Sequence, residues 1–125
     1  MRINRLSNAL GAEVLDCDVT SISQGMIDEI NQAFLFHQLL VFRDQNITPE
    51  AQVTFSERFG PCEPTKSANP AIGTVFARQS NLDIKSGEKI PVNDRRMLYQ
   101  KANYLWHSDS TFKAIPSLCS ILSAR

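Results

Sequence analysis

The sequence lacks an excess of charge of either sign. Lysine plus arginine and aspartate plus glutamate each number 13. Proteins that bind nucleic acid or an anionic membrane surface carry a basic excess, so we expect neither kind of partner. Long apolar runs are also missing, and nothing after Met1 resembles a signal peptide or a segment that spans a bilayer.

Cysteines are few. Cys17, Cys62 and Cys119 are scattered, and none belongs to a CxxC motif. An odd, dispersed set favours a reducing compartment over a disulfide framework, so we expect a cytoplasmic protein. The 125 residues are 42% hydrophobic and 21% charged, which is typical of one small globular domain.

Two helices are predicted in the first half of the chain, the first of them amphipathic. Residues 23–37 place their apolar positions on one helical face. These positions are Met26, Ile27, Ile30, Ala33 and Phe34. The second helix is marked at both ends, because Thr48 can cap it, Pro49 suits its first turn, and Gly60-Pro61 ends it.

Strands are predicted from short runs of β-branched, aromatic and other apolar residues. In chain order the predicted strands are 11–17, 39–42, 74–77, 97–99, 104–107 and 117–125. Residues 61–70 and 81–94 are predicted loops, the second of a length often found in functional lids. Helices first and strands later indicate an α+β or mainly β fold. Because the chain ends within a predicted strand, we expect the domain to continue beyond residue 125.

Two residues of the segment 103–112 have the chemistry of metal ligands. Residues two apart on a strand point to the same face, so His107 and Asp109 are predicted to project together. An imidazole and a carboxylate are two of the three ligands of the 2-His-1-carboxylate arrangement that binds non-haem iron(II). The tripeptide alone is weak evidence, because a surface histidine beside an aspartate is more often a simple ion pair.

The surrounding residues strengthen the metal hypothesis. Residues 105–112 (LWHSDSTF) resemble the iron-binding strand of the taurine dioxygenase and dichlorophenoxyacetate dioxygenase family. Other motifs resemble the same family in the same order. They are 10–14 (LGAEV), 37–45 (HQLLVFRDQ), 48–50 (TPE), 55–60 (FSERFG) and 120–125 (SILSAR). The resemblance covers nearly the whole chain and is greater to the phenoxyalkanoate branch.

The resemblance implies a partial double-stranded β-helix, or jelly-roll, with two N-terminal helices and the C-terminal half missing. Residues 1–125 would then be the N-terminal part of one domain. It further implies Fe(II) as cofactor, 2-oxoglutarate as co-substrate, and hydroxylation of a small anionic substrate of the taurine or phenoxyalkanoate kind. By this resemblance His107 and Asp109 are iron ligands, and Ser110 lines the substrate pocket. Asn103 matches a position at the substrate and 2-oxoglutarate pocket, although an amide tying down a strand end explains it equally well.

Three other residues receive structural interpretations. His37 ends the first helix, where a cation complements the helix dipole, so it is not expected to be a ligand. Trp106 is predicted to point away from His107 into the core. Lys66 could meet an anionic substrate, but a solvated lysine is the favoured interpretation.

In the family the second histidine ligand, and the arginine that pairs with 2-oxoglutarate, lie further along the chain and match no position here. Three hypotheses therefore remain open. The chain is part of a longer dioxygenase, or an inactive remnant of an interrupted gene, or a non-enzymatic small domain that forms a homo-oligomer. We expect the 125-residue chain itself to be inactive.

Overall fold

The computed structural model describes residues 1–64, 74–77, 80–83 and 85–124. Of Tyr99 it describes the backbone alone. The chain divides into two compact units, Met1–Cys62 and Glu63–Arg125. The predicted short-range elements of the first unit are largely present, whereas those of the second unit differ.

A three-stranded sheet forms the framework of the first unit. Strand β1 (Arg2–Arg5) pairs antiparallel with β2 (Ala12–Leu15), and β2 pairs in parallel with β3 (Leu40–Val41). A parallel pair needs a crossover connection, which helix α1 (Gln24–His37) supplies. The strands predicted at 11–17 and 39–42 are thus confirmed as shorter elements, while β1 was not predicted.

The turn between β1 and β2 depends on Gly11. Its φ of +92° lies in the left-handed region, which residues with a side chain rarely adopt. In this conformation its carbonyl accepts a hydrogen bond from the Leu6 amide at 2.9 Å, and its own amide donates to the His37 carbonyl at 2.9 Å. Gly11 therefore joins the start of β2 to the end of α1.

Helix α1 confirms the predicted amphipathic helix. The Ser23 hydroxyl caps it by accepting from the Met26 amide, and Gln38 ends it in a left-handed conformation with φ of 65°. The apolar face predicted from the spacing is the buried one. The buried apolar side chains of the first unit are Ala12, Val14, Val19, Ile27, Ile30, Ala33 and Phe55.

The second predicted helix is also confirmed. Helix α2 (Pro49–Ser56) begins after Thr48, whose hydroxyl accepts from the Ala51 amide at 3.2 Å, and a short 3-10 helix (Glu57–Phe59) extends it to Gly60. Phe55 lies edge-on to Phe59 with ring centroids 5.2 Å apart. The helix therefore contributes an aromatic contact to the same core.

The second unit contains a turn and a helix. Around residues 81–90, the Ile90 amide donates to the Asn81 carbonyl at 2.8 Å, and Leu82 and Lys89 form an isolated antiparallel bridge. Helix α3 (Arg95–Ala102) follows, capped by Asp94. The loop predicted at 81–94 is therefore present as a hydrogen-bonded turn.

Helix α3 corrects the strand predicted at 97–99. The Asp94 carboxylate accepts from the Arg96 amide at 2.8 Å, and the helix consists mostly of residues with high helix propensity. Both signals are in the sequence, and they outweigh the apolar character of the run Met97-Leu98-Tyr99 that predicts a strand.

The strands predicted at 74–77, 104–107 and 117–125 are also wrong over their described residues, which form bends, turns and irregular chain. A strand is stable only when a neighbouring strand satisfies its amide and carbonyl groups. None of the described residues pairs with these segments. An apolar run without such a neighbour does not form a strand.

The described residues thus combine a small sheet with a few helices, which agrees in part with the α+β prediction. Cys17, Cys62 and Cys119 are free thiols. Among the described residues, no helix is long and apolar enough to cross a membrane.

Candidate functional site

The residues predicted to bind a metal lie in the irregular segment that follows α3. The helix ends at Asn103, whose amide donates to the Gln100 and Lys101 carbonyls. From Leu105 onward the chain forms bends and turns instead of the predicted strand. His107 and Asp109 therefore do not owe their relative position to the two-residue repeat of a strand.

The two side chains nevertheless face each other. His107 Nε2 lies 3.4 Å from Asp109 Oδ1, and the side chains are 47% and 63% exposed. Adjacent ligands at about 2.1 Å from an octahedral metal lie roughly 3.0 Å apart. The observed separation is therefore close to that of two neighbouring metal ligands, and the predicted proximity is present without the predicted strand.

The hydrogen bond made by Nδ1 of His107 determines that Nε2 is the nitrogen available to a metal. Nδ1 lies 2.8 Å from the Leu105 carbonyl oxygen, which can only accept a hydrogen bond, so Nδ1 carries a proton. In the neutral imidazole the lone pair then lies on Nε2, the atom that faces Asp109. A metal-binding histidine commonly makes such a bond through its other nitrogen.

The carboxylate of Asp109 is also oriented by a neighbour. The Ser120 hydroxyl donates to Asp109 Oδ2 at 2.9 Å, while Oδ1 faces His107. One oxygen is thus occupied by a hydrogen bond, and the other faces His107 Nε2.

Ser110, predicted to line a substrate pocket, is bound to Glu63. It has a left-handed backbone with φ of 55°, and its hydroxyl donates to Glu63 Oε2 at 2.9 Å. Glu63 Oε2 also accepts from Ser117 at 2.6 Å, and Glu63 pairs with Lys113 through Oε1. These partners, Lys113 first, lower the pKa of Glu63 to about 2.

The described residues offer a divalent metal two protein ligands. His107 and Asp109 supply a nitrogen and an oxygen donor in adjacent positions. Within the described ranges, no group of three or more histidine, cysteine, aspartate or glutamate side chains could hold a metal ion. The pair suits the metal but leaves most of its coordination positions to other ligands.

The remaining predicted residues have mixed outcomes. Asn103 lies at the end of α3, and its role at a pocket stays a prediction. His37 is the last residue of α1, as predicted, and its carbonyl anchors Gly11. Trp106 is fully exposed, so its predicted packing in a core is wrong. Lys66 lies outside the described residues.

Sequence reasoning missed Glu63, Lys113, Ser117 and Ser120. Glu63 is 47 and 54 residues away from the two serines that it binds. Local periodicity carries no information about pairs at that separation, and no motif marked Glu63. The only available signal was the density of serines around Asp109.

This chain is similar to known proteins along nearly its whole length. It matches the family model described as taurine catabolism dioxygenase TauD, TfdA family over residues 2–125. It is 32% identical over 119 residues to an (S)-phenoxypropionate/alpha-ketoglutarate-dioxygenase of Sphingobium herbicidovorans, covering 95% of this chain and 38% of that protein. It is 28% identical over 131 residues to the alpha-ketoglutarate-dependent 2,4-dichlorophenoxyacetate dioxygenase of Cupriavidus pinatubonensis, covering 97% of this chain and 44% of that protein.

A solved structure is also similar. The crystal structure of AAD-2 in complex with Mn(II) and N-oxalylglycine superimposes with a TM-score of 0.78 and 32% identity, covering 93% of this chain and 40% of that one. The chain thus spans about two fifths of the length of these relatives.

Proposed function

This chain belongs to the TauD/TfdA dioxygenase family, as its sequence motifs predicted, and on that premise we propose that it is the N-terminal part of an Fe(II)- and 2-oxoglutarate-dependent dioxygenase domain. The observation that carries the proposal is the facing pair of His107 Nε2 and Asp109 Oδ1, 3.4 Å apart, within the matched residues. His107 and Asp109 would hold the iron in the completed domain.

Fe(II) at this pair would supply the redox chemistry that couples decarboxylation of 2-oxoglutarate to hydroxylation of a substrate. The protein's own residues have simpler tasks. The Leu105 carbonyl keeps the proton on His107 Nδ1, so that Nε2 can donate its lone pair. Asn103 and Ser110 are proposed to line the pocket for substrate, and Asn103 also for 2-oxoglutarate.

The proposed substrate is a small anionic organic molecule of the phenoxyalkanoate kind. Two relatives are named for phenoxypropionate and dichlorophenoxyacetate, and this supports the choice over a taurine-like substrate. The proposed fold of the completed domain is a jelly-roll, to which the described sheet and helices would belong. A small-molecule substrate as partner and a cytoplasmic location stay predictions.

Metal binding by the 125-residue chain tests the proposal. Mn(II), which has an easily measured electron paramagnetic resonance signal when free, is titrated into the protein. We expect His107→Ala and Asp109→Asn each to lower the Mn(II) affinity about 10-fold or more, because the first removes the nitrogen donor and the second replaces a charged carboxylate oxygen with a weaker neutral amide oxygen. His37→Ala is the matched control and should bind like the wild type. Unchanged affinity in both site variants would refute the assignment.

The same sample should not turn over 2-oxoglutarate by itself. Two protein donors bind Fe(II) weakly, and the family's arginine anchor for 2-oxoglutarate matches no residue of this chain. We expect no succinate above the protein-free control with Fe(II), ascorbate and phenoxypropionate. Stoichiometric succinate formation would contradict this.

Two alternatives are separated by other measurements. An in-frame histidine and arginine encoded beyond codon 125 would favour the longer dioxygenase, and an early stop codon would favour an inactive remnant. A homo-oligomer of defined mass with no Mn(II) binding would favour the non-enzymatic domain.

A further inference from the structure

The segment between Asp109 and Ser120 is a loop whose ends are tied together. The Ser120 hydroxyl donates to Asp109 Oδ2 at 2.9 Å, a bond between residues 11 positions apart. A carboxylate without such a bond is free to rotate about its last torsion, which would move Oδ1 away from His107. The bond therefore fixes which oxygen of Asp109 faces the imidazole.

Glu63 holds the same loop from a distant point in the sequence. Its Oε2 accepts from Ser110, the residue directly after Asp109, and from Ser117, three residues before Ser120. Its Oε1 pairs with Lys113, in the middle of the loop. One carboxylate thus contacts the loop at its start, its middle and near its end.

The contact with Ser110 has a particular conformational consequence. Ser110 has a φ of 55°, which residues other than glycine, asparagine and aspartate adopt infrequently. The hydrogen bond to Glu63 stabilises this turn immediately after Asp109. Glu63 therefore supports the backbone turn that directly follows Asp109.

We infer that Ser120 and Glu63 are positioning residues, which hold Asp109 so that its Oδ1 and His107 Nε2 can bind one metal ion. This inference rests on the proposed function, because it assigns supporting partners to the same proposed ligands. Partners that orient metal ligands typically change metal affinity by 10–100-fold when they are removed. Ser120 acts on the ligand directly, and Glu63 acts through the backbone of the loop.

Ser120 is tested with three variants of the full chain and Mn(II) as the probe. Ser120→Ala should weaken Mn(II) binding about 10-fold, because Asp109 loses its orienting bond. Ser120→Thr keeps the hydroxyl and should restore wild-type affinity. Ser123→Ala, an exposed serine three residues after Ser120, is the control and should have no effect.

Glu63 is tested in parallel. Glu63→Gln keeps the size of the side chain but removes the charge that pairs with Lys113, so Mn(II) affinity should fall several-fold. Glu88→Gln, an exposed glutamate of the same unit, is the matched control. In Glu63→Gln and in Glu88→Gln, the pulsed electron paramagnetic resonance spectrum of bound Mn(II) should still show coupling to the His107 imidazole nitrogen. The far-UV circular dichroism of both variants should equal that of the wild type.

The outcomes separate this inference from the proposed function. Wild-type affinity in Ser120→Ala and Glu63→Gln, with weak binding in His107→Ala, would overturn the positioning roles alone. Equal loss in Ser120→Ala and Ser120→Thr would also overturn the role of the Ser120 hydroxyl. Mn(II) binding that is insensitive to His107→Ala would overturn both. Loss in Ser120→Ala with rescue by threonine supports the inference.

Discussion

The two units of the chain differ in how they bury apolar surface. Among the described residues, every buried apolar side chain except Ile90 belongs to Met1–Cys62. In Glu63–Arg125 large apolar side chains are exposed instead, including Trp106, Ile115 and Leu122. The first unit thus has a hydrophobic core, and the second unit depends more on polar contacts.

Those polar contacts are concentrated in two groups. Arg96 binds Asp83 at 2.6 Å and Asp94 at 2.9 Å, and Glu63 binds Lys113 and two serines. Exposed ion pairs contribute little to stability, whereas burial of an apolar side chain contributes about 1.5–3 kcal/mol. The comparison indicates that the first unit supplies most of the folding free energy, while the candidate chemistry lies in the second.

The largest expected difference between the units concerns core truncation. Ile30 is 1% exposed, and Ile30→Ala should lower the free energy of unfolding by about 2–5 kcal/mol. Leu118 is 60% exposed, and Leu118→Ala should change it by less than about 0.5 kcal/mol. Urea unfolding followed by far-UV circular dichroism measures both. Similar losses in the two variants would show that the second unit has a core of its own.

A second expected difference is the response of the Glu63 cluster to acid. The pKa of Glu63 is lowered from 4.5 to about 2, with Lys113 the first cause. Because the folded pKa is below the unfolded one, the cluster is stabilising above about pH 4.5 and loses that contribution as the pH falls toward 2. Lys113→Met should raise the pKa of Glu63 toward 4.5, as measured by carboxyl-carbon NMR. No change would show that the serines alone hold the carboxylate.

The sequence predicted the first unit better than the second for a physical reason. Helices α1 and α2 are determined by local signals, namely an apolar face and the caps Ser23 and Thr48. These signals act within a few residues and need no distant partner. Strand β1 was missed because all four of its residues are exposed, so its sequence has no apolar pattern.

In the second unit the apolar runs predict strands, but a strand requires a pairing partner that local sequence does not specify. The candidate site likewise has a part that local sequence predicts and a part that it does not. The spacing of His107 and Asp109 predicts their proximity correctly, although the strand that it implies is absent from this segment. Glu63 and Ser120 act over 47 and 11 residues, beyond the reach of local patterns.

The smallest expected difference concerns the helix caps. The Thr48 hydroxyl caps α2 in the first unit, and the Asp94 carboxylate caps α3 in the second. Thr48→Ala should lower the free energy of global unfolding by about 1 kcal/mol, because α2 carries the buried Phe55. Asp94→Ala should instead accelerate hydrogen exchange only at the amides of α3. Among its described side chains, this helix buries no apolar group that would couple it to the core. Urea unfolding and hydrogen exchange are measured on both variants. If Asp94→Ala lowered global stability as much as Thr48→Ala, the two units would unfold as one, and the contrast between them would not hold.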